Sequence, residues 1–270
     1  MSTADNRAFT ERTPAIREQI AAAPQDWALF LDLDGTLLDI AEHPWDVRTP
    51  PWLPGKLEGI EAGLSGAMAI VSGRPLADID RLLEPSRFCA AAEHGAEMRL
   101  ADDREVVGFA LATDPLLLAA IEEAVGGFAG VVVEPKATAI AVHYRAAPDK
   151  GEAVFGALSE VLAQVGGDRR IMAGRFVFEV VATRISKAQA VKFLLSLPAF
   201  AGRTPVFIGD DVSDEEACLF VEEQGGVALR VAGEYFSLDR SAFRSPDEVR
   251  LWIATLAGDL ERVREGALRA

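Results

Sequence analysis

Asp32-Leu-Asp-Gly-Thr36 sets two carboxylates two residues apart, directly after the apolar run Trp27–Leu31. Gly35 permits a tight turn, and Thr36 can cap the turn that follows. Carboxylates this close repel each other, and a divalent cation resolves that repulsion; Mg2+ favours carboxylate and water oxygens at about 2.1 Å. A metal-bound carboxylate such as Asp32 can attack phosphorus. A second one, Asp34, can protonate the leaving oxygen and then activate water. Alone, the pentapeptide is equally a strand running into an Asp-Gly turn. Ser72-Gly73-Arg74-Pro75 follows a second apolar run, and its hydroxyl and N–H groups at a helix start suit a phosphate, although an ordinary helix cap has the same residues. Lys187 opens a helical stretch, where its charge opposes the helix dipole unless it faces an anion. Gly209-Asp-Asp-Val-Ser-Asp-Glu215 puts Asp210 and Asp214 four residues apart, so both can face one point; Asp211 points elsewhere and has no evident role.

The elements that must hold these groups are legible as short apolar runs. Trp27–Leu31, Ala67–Val71 and Pro205–Ile208 each end in a polar cluster, as strands buried on both faces do. Helical stretches over 75–83, 187–197 and 214–223 alternate with them, which predicts a doubly wound α/β core with its ligands beyond the carboxyl ends of the strands. Residues 104–183 read differently. Alternating strands at 130–136, 139–145 and 175–181, with helices near 114–125 and 149–165, predict a smaller α/β domain inserted into a core made of 1–103 and 184–270. On its polar face Glu134 and Lys136 lie together, as do His143 and Arg145, and Glu179 lies opposite Phe178. These groups suit sugar hydroxyls, or else form a solvated face with surface ion pairs. Pro135 marks an edge strand. A short amphipathic helix is expected at 15–23 and a surface helix at 247–269; Trp27, Trp45, Trp52 and Trp252 read as packing anchors.

Composition bounds the function. A net charge of −15 excludes nucleic acid and anionic membrane as partners and requires local cations or N–H groups around any phosphate. No run approaches the roughly 20 apolar residues of a membrane helix, and the N-terminus lacks a secretory pattern. Cys89 and Cys218 lie in apolar segments away from metal or redox spacings, so both read as buried thiols of a cytoplasmic protein, expected to be a monomer.

The four clusters, in this order, resemble the haloacid dehalogenase (HAD) superfamily of phosphatases. The resemblance implies Asp32 as nucleophile and Asp34 as general acid/base. It places Ser72, Gly73, Arg74 and Lys187 around the phosphoryl group, with Lys187 counted in the catalytic set. It gives Mg2+ the carboxylates of Asp32, Asp34, Asp210 and Asp214, the last also able to support Lys187. Glu134-Pro-Lys136, His143-Tyr-Arg145, Phe178-Glu179 and Glu93-His-Gly95 further resemble trehalose-6-phosphate phosphatases. That family implies sugar contacts at Glu134, Lys136 and Glu179, with His94 near the substrate and Arg145 as a further candidate. Linkers near 100–106 and 180–186 would be hinges for closure over a sugar phosphate. The chain departs from the family pattern at Leu33, Pro135 and Ala188, and 180–186 lacks the usual proline; no catalytic atom is lost. A phosphatase of sucrose phosphate or of many sugar phosphates, a phosphomutase and a non-catalytic sugar-phosphate-binding subunit are the alternatives.

Overall fold

In the computed structural model, residues 3–269 are described apart from 42, 101–104, 109–113, 137–138, 166 and 175, so part of the first expected linker lies outside the described residues. The chain divides into two compact units, one built from Met1–Gly108 with Ser186–Ala270, the other from Phe109–Ile185.

The larger unit begins with α1 (Thr3–Ala22), β1 (Trp27–Leu31), α2 (Leu53–Gly63), β2 (Met68–Val71), α3 (Leu76–Leu82), β3 (Cys89–Ala92), β4 (Glu97–Arg99) and β5 (Val106–Gly108). The inserted unit holds α4 (Pro115–Val125), β6 (Val132–Pro135), β7 (Ile140–His143), α5 (Gly151–Val165), β8 (Arg169–Gly174) and β9 (Val177–Ala182). The chain then returns with α6 (Lys187–Leu194), β10 (Thr204–Gly209), α7 (Val212–Glu223), β11 (Val227–Arg230) and α8 (Pro246–Arg269).

The large sheet runs β11-β10-β1-β2-β3-β4-β5. The first five strands are parallel, and β4 and β5 extend the edge in antiparallel pairing. β1 has β10 on one side and β2 on the other, so the chain winds in both directions from it. A crevice opens at the carboxyl end of such a strand. Leu29, Phe30 and Leu31 of β1, Val206, Phe207 and Ile208 of β10 and all four residues of β2 are at most 1% exposed, which is why these runs lack polar alternation. Phe30 stacks on Phe200 at 5.5 Å.

The 247–269 segment is a helix at the surface with one packed face: α8 buries Val249, Trp252, Ile253, Leu256 and Leu260, spaced to form one stripe, while Leu251 and residues 261–266 are exposed, and Trp252 Nε1 donates to the Thr13 carbonyl at 2.9 Å. One expectation needs correction: the tryptophans are not uniformly packing anchors. Trp252 is 5% exposed, but Trp45 is 67% and Trp52 45% exposed.

In the inserted unit the sheet order is β6-β7-β9-β8, all antiparallel. Asp114 caps α4 by accepting from the Leu116 N–H at 2.9 Å, and Pro115 follows, where its missing N–H costs nothing. Leu117, Ile121 and Val125 of α4 and Val154, Leu158 and Val161 of α5 fall at helical spacing and close over Ile140, Val142, Phe178 and Val180 of the sheet. Strand alternation then turns Glu134, His143 and Glu179 to the other face.

Candidate active site

The described polar clusters of the larger unit gather at the carboxyl ends of its parallel strands. Asp32 continues β1, and its N–H still donates to the Ile208 carbonyl of β10 at 3.0 Å. Gly35 has φ +79°, and a Cβ there would overlap the Asp210 carboxylate, so this glycine is required by both the turn and the approach of Asp210. Thr36, fully buried, donates from Oγ1 to Asp210 Oδ1 at 3.2 Å. This contact was not anticipated: the sequence reading gave Thr36 only a capping role, and spacing cannot show an interaction across 174 residues.

Lys187 is 3% exposed at the first position of α6, whose N-cap Ser186 accepts from the Gln189 N–H at 3.2 Å. Its Nζ donates to Asp32 Oδ1 at 2.7 Å and to Asp214 Oδ1 at 2.6 Å. Burial works against the ammonium charge, but Asp214 and Asp32 outweigh it and hold the lysine above its usual pKa. Asp214 Oδ2 accepts from the N–H groups of Asp210 and Asp211 at 3.2 and 3.0 Å. Asp211 therefore has a role that the sequence did not reveal: it is the N-cap of α7 and forms a capping box with Asp214. Such a cap contributes about 1 kcal/mol and fixes the loop that carries Asp210.

Asp32, Asp210 and Asp214 each offer an oxygen within 4.8 Å of the others. One ammonium faces three buried carboxylates. Burial pushes Asp32 well above the ordinary carboxylate range, with Lys187 opposing and Asp214 and Asp210 adding to the rise. Burial, then the charge of Asp214, pushes Asp210 up to about 7. A crowded set of hard oxygen donors with surplus negative charge fits a small divalent cation. Asp34 stands apart from this group: both its oxygens are gripped by Arg74, at 2.5 Å from Nε and 2.6 Å from Nη2. The structure thus brings together three of the four expected metal carboxylates and gives the fourth a different partner.

Ser72, 1% exposed, accepts the Arg74 N–H on Oγ at 3.2 Å. The segment after β3 is tied to this loop, with the His94 N–H donating to the Ser72 carbonyl at 2.9 Å and the Glu93 N–H to that of Arg74 at 3.0 Å. Glu93 and His94 both take positive φ, +46° and +57°, a backbone cost that such ties offset. A Cβ on Gly73 would sit 2.6 Å from His94 Nε2, so Gly73 is the residue that admits this ring. Ser72, Gly73, Arg74 and His94 therefore form one cluster.

In the inserted unit, Lys136 is ion-paired with Glu179, and His143 Nε2 lies 2.8 Å from Glu134 Oε2. Across the sheet Glu134, Ala141 and Glu179 are in register, so the small Ala141 separates the two carboxylates. His143 lies on the expected polar face, paired with Glu134. Arg145 is exposed two residues past the end of β7 and is not brought into these pairs by any described contact.

The fold is that of the HAD-like hydrolases. A haloacid dehalogenase-like hydrolase from Bacteroides thetaiotaomicron superposes with a TM-score of 0.57 at 15% identity, over 88% of this chain and 99% of that one. The C-terminal domain of trehalose-6-phosphate phosphatase from C. albicans does so with a TM-score of 0.73 at 23% identity, over 91% and 96%. The sequence profile described as trehalose-phosphatase matches residues 30–249. A probable trehalose-phosphate phosphatase from Sinorhizobium fredii is 42% identical over 206 residues, which cover 76% of this chain and 78% of the relative. The chain belongs to the trehalose-phosphatase family.

Proposed function

We propose that this chain hydrolyses trehalose 6-phosphate to trehalose and phosphate, with Asp32 as nucleophile and Mg2+ as cofactor. The observation that carries the reading is the single ammonium of Lys187 held between Asp32 and Asp214 in a buried acidic cluster at the switch point of the sheet. Family membership supports the sugar; charge and geometry support the chemistry.

Lys187 fixes one oxygen of Asp32, leaving the other to attack phosphorus. The bond from phosphorus to the sugar oxygen breaks as the bond to Asp32 forms, and Asp34 gives its proton to the leaving oxygen. Asp34 then takes a proton from water, which attacks phosphorus and releases Asp32 and phosphate. Lys187 and the Ser72 hydroxyl donate to phosphoryl oxygens throughout. A Mg2+ held by Asp32 and Asp210, with Asp214 behind them, would neutralise charge on the transferring group. Glu134, Lys136 and Glu179, with His143 beside them, supply the acceptors and donors that sugar hydroxyls require, and His94 borders the phosphate loop.

Phosphate release from trehalose 6-phosphate, against glucose, sucrose and mannose phosphates, tests this, with and without a chelator and with Asp32→Asn as control. Selective, Mg2+-dependent release that the variant lacks is expected. Equal release from every sugar, or a fully active Asp32→Asn, would refute the substrate or the nucleophile respectively.

A further inference from the structure

Arg74 meets Asp34 as a fork on a fork, Nε to Oδ2 at 2.5 Å and Nη2 to Oδ1 at 2.6 Å. The arginine side chain is 10% exposed and the aspartate 34%, so the anchored partner is the arginine. Its own backbone is fixed on both sides, the N–H on Ser72 Oγ and the carbonyl taking the Glu93 N–H. A bidentate contact of this kind sets the rotation of a carboxylate as well as its position.

We propose that Arg74 is a positioning residue for Asp34, holding the plane of the acid/base carboxylate rather than ligating the transferring phosphoryl group. This rests on the reading of Asp34 as acid/base above. The Nε–Nη2 edge of the guanidinium is taken by Asp34; turning that edge to a phosphate would release the carboxylate to rotate. The pair still leaves each Asp34 oxygen a second lone-pair direction, which can face the leaving oxygen or the incoming water.

A double-mutant cycle of R74Q and D34N tests the assignment, with kcat and KM measured on trehalose 6-phosphate and on p-nitrophenyl phosphate, and Ki for inorganic phosphate. R74Q is expected to lower kcat roughly 10- to 100-fold, part of what acid/base catalysis supplies, with KM and Ki changing less than about threefold. In the D34N background R74Q should add less than about twofold, because the group it positions is gone. R74K keeps the charge without the fork and should recover only part of the loss; it carries the cycle if R74Q does not fold. A Ki for phosphate raised about tenfold or more, or losses that multiply across the cycle, would make Arg74 a phosphate ligand and overturn the proposal. A wild type active on the aryl ester but inert toward trehalose 6-phosphate would refute the substrate and leave the cycle readable.

Discussion

Asp210→Asn should stabilise the metal-free protein at alkaline pH while weakening its hold on a cation. Asp210 is 6% exposed, and burial, then the charge of Asp214, raises its pKa from the ordinary 3.8 to about 7. The native state therefore binds this proton more tightly than the unfolded chain does. Stability tied to it is present below about pH 4 and is lost as pH rises through about 7. At about 1.4 kcal/mol per pH unit the loss reaches about 4 kcal/mol, an upper value because the neighbouring carboxylates titrate with it. Asparagine cannot ionise, and its Oδ1 can still accept from Thr36. All four tryptophans, at 27, 45, 52 and 252, lie in the larger unit, so intrinsic fluorescence follows its unfolding separately from that of the inserted one. For a unit of this size each kcal/mol moves Tm by about 2–4 °C. With chelator at pH 8 the variant should melt up to roughly 8–16 °C above the wild type, and the two should converge near pH 4. Added Mg2+ should raise the wild-type Tm more at pH 8 than at pH 5, since protons compete with the cation, and should do little for the variant. Parallel pH dependences of the two chelated proteins would refute the reasoning.

Glu179→Ala removes the partner of Lys136 and should lower kcat/KM for trehalose 6-phosphate at least tenfold, while p-nitrophenyl phosphate turns over within about threefold of wild type; equal losses on both would remove Glu179 from the sugar contacts. Gly73→Ala should displace the His94 ring, which the new Cβ would approach to 2.6 Å, and disturb the phosphate loop. Phosphate inhibition should weaken about tenfold with Tm lowered by a few degrees, and an unchanged Ki would show that the ring yields without moving Ser72.

The legible parts of the fold were those with strong apolar contrast. β1, β2 and β10 announced themselves because both faces are buried, and α4 and α5 because of their helical stripes. β3 did not, since Cys89-Ala-Ala-Ala92 is buried but carries none of the branched or aromatic residues that mark strands. α8 read as a surface helix because charged residues recur along it and crowd its C-terminal half; only packing shows how its apolar stripe is covered. In the site, the order of Asp32, Lys187 and Asp210 pointed to their convergence, which rests on sheet topology. The partner of Arg74 was not readable. An arginine beside a phosphate loop suits a phosphate and a carboxylate equally, and the choice is made by the tertiary approach of Asp34, 40 positions earlier in the chain. Asp211 was opaque for the opposite reason: a cap depends on a boundary, and Asp210, Asp211 and Asp214 lie close enough together to leave several candidates for it.

Trp27 pairs with Thr204 where β1 meets β10. The strand leading to Asp32 and the strand leading to Asp210 are therefore neighbours in space but far apart along the polypeptide. A ribosome has already made Phe109–Ile185 in one stretch before the second of these strands exists, so the inserted unit has all its own partners first. The acidic cluster can close only after Asp214 has been made, and that late closure carries the larger loop entropy. Until then the Asp32 carboxylate remains hydrated, and the cost of crowding it against Asp210 and Asp214 falls on a chain that already has most of its apolar core to bury.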